Sequence, residues 1–277
     1  VEAGIIKNVR KVDACMNSDR RWHSWGNVAG FPNGQPVPNG MDWEIWVGTA
    51  PFHPYDGMYD PGNWRGWYDY GGGALGDWGP HILDTIHQFL ELGLPEEIRV
   101  DKIEGKNGFI FPMASTISFV FPERRKDMPA MTISWHDGVK NLPPRPKELE
   151  DGRDIERNGK IIYSDDLVFK GGSHGSTLRV IPESRMKDIT RGLPKIARKQ
   201  STHMMNFILS AKGEETCRSS FDVAGPLTQV ILLGVIAQRL GETLKFDPKS
   251  GQITNNKAAN DLLDPPPRKG WEEFCKL

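Results

Sequence analysis

Trp64–Asp84 reads WRGWYDYGGGALGDWGPHILD, and this stretch decides how the rest of the chain is read. An aromatic loop and a run of glycines lead directly into Asp77, His81 and Asp84. These three are spaced four and three residues apart, so on a helix they share one face. Ile82, Ile86, Phe89 and Leu90 recur at helical spacing on the opposite face, which predicts an amphipathic helix. Pro80 must lie in its first turn or kink a helix that starts nearer Gly73; Leu92-Gly93 with Pro95 beyond marks its end. A stripe of carboxylate and imidazole beside Trp and Tyr suits proton transfer on a hydroxylated substrate. The same pattern also fits a capping aspartate on a solvated face. Gly71, Gly72, Gly73, Gly76 and Gly79 favour the first reading, because glycine lets backbone approach a ligand. Trp64, Trp67 and Trp78 offer flat faces on which sugar rings stack.

Gly71-x-Gly73-x-x-Gly76 matches the dinucleotide fingerprint as a string. That fingerprint needs a buried strand before it and an acidic residue ending a second strand ~20 residues on. Here the polar, aromatic RGWYDY precedes it, and the residues after it run to the far end of the same helix. The chain therefore carries no recognisable nucleotide-binding motif.

At 277 residues the chain has room for a substantial core, and its net charge of −1 gives no general attraction to nucleic acid or an anionic membrane. The basic cluster Arg191–Lys199 reads as a solvated turn. No apolar run approaches the ~20 residues of a spanning helix; the longest, Val230–Ala237, reads as a buried helix segment. Cys15, Cys217 and Cys275 are odd in number and far apart, so they read as free structural thiols rather than a disulfide framework or metal cluster. The opening VEAGIIKNVRKVDACM looks like a helix end running into a strand. The chain therefore reads as the C-terminal part of a longer protein, and its localisation stays open because any signal would lie upstream.

Along the chain, 5–17 reads as a strand, and 18–62 as an ordered binding loop rich in Pro, Gly and Trp. Strands are expected at 98–106, 114–121, 130–136, 159–163, 166–170 and 177–181, helices at 201–212 and 222–240, and a closing hairpin at 243–255. The fold class is thus α+β: a largely antiparallel open sheet with helices on one face, as a single domain over 1–277.

The chain resembles the C-terminal domain of the glucose–fructose oxidoreductase, inositol dehydrogenase and rhizopine-catabolism (Gfo/Idh/MocA) family, and most of all its branch common in Bacteroidetes and Planctomycetes. The resemblance rests on MDWEIWVGTAPFHPY, NWRGWYDYGGGALGDWGPHILD, SWHDGVKNLPPRP, SFDVAGPLTQVILLGVIAQRLGE and the closing NNKAANDLL…RKGWE. The second is the most specific, since it carries the helix G-G-x-L-x-D-x-G-x-H-x-x-D. The resemblance implies a C-terminal domain like that of glyceraldehyde-3-phosphate dehydrogenase, paired in family members with an N-terminal Rossmann domain that binds NAD or NADP. Neither that domain's glycine motif nor its Glu-Lys-Pro motif occurs here, so no cofactor is expected on these residues alone.

By position, His81 matches the family's acid/base histidine and Asp77 the aspartate one turn before it. Imidazole suits the role, with an unperturbed pKa of about 6.5. Asp84 reads either as a support for the site or as a helix brace. Trp64, Arg65 and Trp67 are candidates for the pocket wall, and Trp135 and Asp137, flanking His136 at a strand end, for the same cleft. His174 in GGSHGS and His203 at a helix start read as structural. A metal site from His81, Asp84 and His87 lacks a third well-placed soft ligand.

The leading function is therefore the substrate domain of an NAD(P)-dependent oxidoreductase of sugars, polyols or their derivatives. The alternatives are a glycosidase working by transient oxidation and elimination, and a non-catalytic carbohydrate-binding or oligomerisation module. Expected partners are a small sugar or polyol, the chain's own Rossmann domain, and further copies in a homodimer or tetramer, with neither nucleic acid nor membrane. Apolar side chains expected on both faces of 114–121 and 130–135 place that self-association on the open sheet face.

Overall fold

Ile117, Phe119 and Phe121 alternate with Thr116, Ser118 and Val120, and this period of two defines the two faces of the sheet. The computed structural model describes residues 1, 3–191, 193 and 201–275, so most of the basic cluster 191–199 lies outside the described residues. Nine strands form one sheet: β1 Lys11–Met16, β2 Glu97–Glu104, β3 Ala114–Phe121, β4 Met131–Asp137, β5 Asn158–Tyr163, β6 Val168–Gly171, β7 Arg179–Ile181, β8 Leu244–Asp247 and β9 Gln252–Ile253. The helices are α1 Trp43–Val47, α2 Gly73–Phe89, α3 Met186–Thr190, α4 His203–Ala211, α5 Phe221–Leu240 and α6 Lys257–Asp261.

The strand order is β7-β6-β5-β1-β4-β3-β2-β8-β9. Every ladder is antiparallel except β1 with β4, where Lys11 pairs Thr132 and Met16 pairs Asp137. The sheet is thus mixed rather than purely antiparallel. A parallel pair needs a long crossover, and α1, α2, β2 and β3 lie between these two strands in the chain.

Helices α2 and α5 pack side by side on one face. Leu75, Ile82, Leu83 and Ile86 of α2 and Leu227, Val230, Ile231 and Leu233 of α5 meet Val12, Ala14, Ile117, Phe119, Ile133 and Trp135 in one core. Each such buried aliphatic side chain contributes about 1.5–3 kcal/mol. By length and composition α5 is apolar enough to cross a bilayer, with a mean hydropathy of 1.4. Its buried side chains lie in this core, which accounts for that composition without a membrane.

The other face does not match the expectation of apolar side chains on both sides. Thr116, Ser118, Thr132 and Ser134 occupy it with Val120 as the one apolar side chain among them, and the Ser118 and Ser134 hydroxyls are 2.8 Å apart. Beside them, the far strands are covered by the chain itself: Leu149 and Ile155 pack over Ile161, Val168 and Ile181. Cys15 lies under this cover, its thiol pushed up to about 11 by burial.

Many aromatics of 18–70 form a second core. Trp22, Trp43, Tyr55, Tyr59 and Trp67 are buried against one another and against Ile110 and Phe111. Trp67 is completely enclosed, and its indole N–H donates to the Met58 carbonyl at 3.1 Å. This small core fixes the Asn63–Gly66 turn beside the start of α2.

Candidate active site

The glycines before α2 serve packing. A Cβ on Gly71 would lie 2.5 Å from the Arg65 Cα, and one on Gly73, whose φ is +62°, would lie 2.5 Å from the Phe111 ring. The helix starts at Gly73 with Pro80 inside it, the second of the two arrangements that the sequence allowed. No strand leads into these glycines, and the space beside Gly71 and Gly73 is filled by Arg65 backbone and the Phe111 ring.

The close approach at Gly71 seats Arg65 against the first turns of α2. Its Nε donates to Asp77 Oδ1 at 3.2 Å, and Arg20 Nη2 stands 3.7 Å from Asp77 Oδ2. Both guanidiniums lie over indoles, Arg65 over Trp64 at 4.5 Å and Arg20 over Trp78 at 5.2 Å. Asp77 is thus held by two cations, half-buried, one turn before His81.

The His81 side chain is exposed on α2. Its ring stacks on His174, with centroids 4.2 Å apart and planes 23° from parallel. Trp78 stands edge-on to both imidazoles, at 5.9 Å from His81 and 5.5 Å from His174. The His174 backbone N–H donates to the His81 carbonyl at 2.8 Å. Beneath the pair, the buried Lys160 donates from Nζ to the Ile82 carbonyl at 3.0 Å and the Gly172 carbonyl at 3.2 Å. Burial holds the Lys160 ammonium below its ordinary pKa, with the half-buried Asp84 pulling it back up.

Arg65 and Trp64 therefore come together with Asp77, one turn before His81, and Asp84 on the same helix adds a favourable charge for Lys160. Trp67, Trp135 and Asp137 do not join them. Trp67 belongs to the aromatic core, and Trp135 is fully buried under the helices. Asp137 shares its strand face with Trp135, so it too points inward. It accepts from Ser115 N–H and Oγ at 2.8 Å, and from Trp135 Nε1 and Gln238 Nε2 at 3.0 Å. Burial pushes this carboxyl up and the four donors pull it back down, for a net rise above 3.8.

Sequence reasoning missed His174 as the neighbour of His81, Arg20 as that of Asp77 and Trp78, and Lys160 as the link between α2 and the His174 loop. For His174 the signal was present in Gly171–Ser176, a glycine-rich turn that also carries an imidazole. A groove of about 1080 Å³ also borders Trp64, between Tyr68, Leu232, Arg239 and Pro266, but Asp77 and His81 do not line it. Among the described residues no three His, Cys, Asp or Glu side chains are grouped to hold a metal. The site's chemical capacity is proton exchange at an exposed imidazole, beside a charge-paired carboxylate and an indole ring.

No curated protein matches the sequence significantly. Among solved structures, an NAD-binding protein from Listeria innocua is similar at 12% identity and a TM-score of 0.47, over 88% of this chain and 57% of that one. A Bacillus subtilis protein assigned as an oxidoreductase is similar at 9% identity and a TM-score of 0.41, over 89% of this chain and 60% of that one. The chain thus spans somewhat under two thirds of their length. The model of the oxidoreductase family's C-terminal alpha/beta domain, of the Gfo/Idh/MocA type, matches residues 1–110 and 147–273. The chain belongs to this Gfo/Idh/MocA oxidoreductase family, as a C-terminal alpha/beta domain.

Proposed function

We propose that the chain is the substrate domain of an NAD(P)-dependent oxidoreductase that oxidises or reduces a sugar, polyol or sugar derivative, with His81 as the acid/base. Family membership supports the oxidoreductase class. The observation that carries the finer reading is the His81 imidazole, solvent-facing on α2 one turn after the Arg-paired Asp77. An exposed imidazole can take a hydroxyl proton near neutral pH and return it in the reverse direction. In this reading Asp77, with Arg65 at Oδ1 and Arg20 at 3.7 Å from Oδ2, uses a remaining lone pair to accept a hydrogen bond from a neighbouring substrate hydroxyl. Trp64 and Trp78, each carrying a guanidinium, offer ring faces or edges against a sugar.

NAD(P) supplies the hydride acceptor when it is bound. In this reading the cofactor sits on a nucleotide-binding domain that packs against the chain. Self-association into a dimer or tetramer belongs to the same proposal. Exposed apolar side chains available for such contacts lie on α4 (Met204, Phe207) and at Phe221 rather than on the open sheet face.

The test is NAD(P)H formation by the full-length gene product with D-glucose, D-gluconate, myo-inositol and D-mannitol. At least one is expected to turn over, and His81→Asn is expected to lower kcat by about 10²–10⁴-fold. Turnover by His81→Asn at the parent rate would refute the acid/base role. Release of an aglycone from a glycoside without net NADH would move the chain to the elimination chemistry.

A further inference from the structure

We propose that His174 is a positioning residue for His81, and that the Gly171–Ser176 loop is a working part of the proton-transfer site. The inference rests on His81 being the acid/base. Three independent contacts converge on the pairing. The rings stack at 4.2 Å, the His174 N–H caps the His81 carbonyl at 2.8 Å, and Lys160 bonds the carbonyls of Ile82 and Gly172. One buried ammonium thus ties the helix carrying His81 to the loop carrying His174.

The loop's backbone fits the same reading. His174 has φ +56°, a left-handed conformation that non-glycine residues rarely adopt, while glycines stand on both sides of it at 172 and 175. Such a conformation persists where its surroundings hold it. Here the holding contacts are the His81 carbonyl, the stacked ring and Ser173 Oγ, 2.8 Å from His174 Nδ1. A glycine in its place would satisfy the backbone and lose the ring. The ring has a use: an exposed histidine on a helix otherwise samples several rotamers, and a proton acceptor works only within hydrogen-bond reach of the hydroxyl. Stacked between His174 and the edge of Trp78, the His81 ring is held to one orientation.

His174 is exposed, so its replacement leaves the core untouched. The primary readout is the His81 ring resonance in ¹H–¹³C spectra of the 277-residue chain, which needs neither cofactor nor substrate. Ring-current shielding by the stacked imidazole is expected to vanish in His174→Ala, moving the His81 Hε1 signal downfield, and to be kept in His174→Phe. In the full-length gene product with NAD⁺ or NADP⁺ and the polyols named above, His174→Ala is expected to lower kcat about tenfold with KM little changed. His174→Phe is expected to return most of that loss. A His81 signal unmoved by His174→Ala overturns the stack, whatever the activity. A moved signal with unchanged kcat overturns its use in the reaction. The acid/base reading itself falls separately, on His81→Asn alone.

Discussion

Replacing Asp137 with alanine should unfold the protein more easily without touching the cleft. The carboxylate joins β3, β4 and α5 through four donors, two on each oxygen, and is 4% exposed. In Asp137→Ala the Ser115 hydroxyl and the Gln238 amide still pair with each other, at 2.6 Å in the parent. The Trp135 Nε1–H, the Ser115 backbone N–H and hydroxyl, and the Gln238 N–H directed at Asp137 all lose that acceptor. At about 1–3 kcal/mol for each orphaned buried donor, less the relief of no longer burying a charged carboxylate, the net loss is about 3 kcal/mol. Guanidinium unfolding of both proteins at pH 7, with a shared slope, reads this directly. The pH dependence has a defined sign. The folded-state pKa is raised above 3.8, so the stability contributed by Asp137 is fully present below pH 3.8 and is lost as pH rises through the raised value. The penalty of Asp137→Ala should therefore shrink from acid toward neutral pH. A loss below about 1 kcal/mol, or normal stability with abolished turnover, would refute this reasoning and return Asp137 to the cleft.

Calorimetric titration of the 277-residue chain with NAD and NADP is expected to show no micromolar binding, because the glycines before α2 are filled by Arg65 and Phe111; clear micromolar heats would contradict that. Light scattering at micromolar concentration is expected to return a mass above the 31.1 kDa of one chain, and a clean monomer would end the self-association proposal. Lys160→Met should speed hydrogen exchange of the His174 amide about tenfold by releasing Gly172 from α2. An unchanged rate would mean that Lys160 does not hold the loop.

Strong periodicity made much of the fold legible. β3 was readable to the residue from alternating apolar positions, and α5 from a long apolar run that ends at Gly241. The face of each strand residue was readable too: Asp137 lies two residues from Trp135, so both had to point the same way. Where periodicity fails, packing decides. Trp64 and Trp67 flank one short turn, and the sequence does not tell which ring closes into the aromatic core and which stays half-exposed. The site divides along the same line. Asp77, His81 and Asp84 share one helix, so their spacing placed them together. Arg20, Lys160 and His174 reach α2 only through tertiary contacts from the post-β1 segment, β5 and the loop after β6, and no local pattern encodes those distances.

The central claim is that the His81 imidazole carries the proton. Chemical rescue tests it most directly: His81→Ala in the full-length gene product, with NAD(P)⁺, an active polyol and added imidazole. Turnover is expected to fall sharply and to be restored by imidazole in a concentration-dependent way, with no such effect on the parent enzyme. Parent-level turnover in His81→Ala without imidazole would contradict that claim.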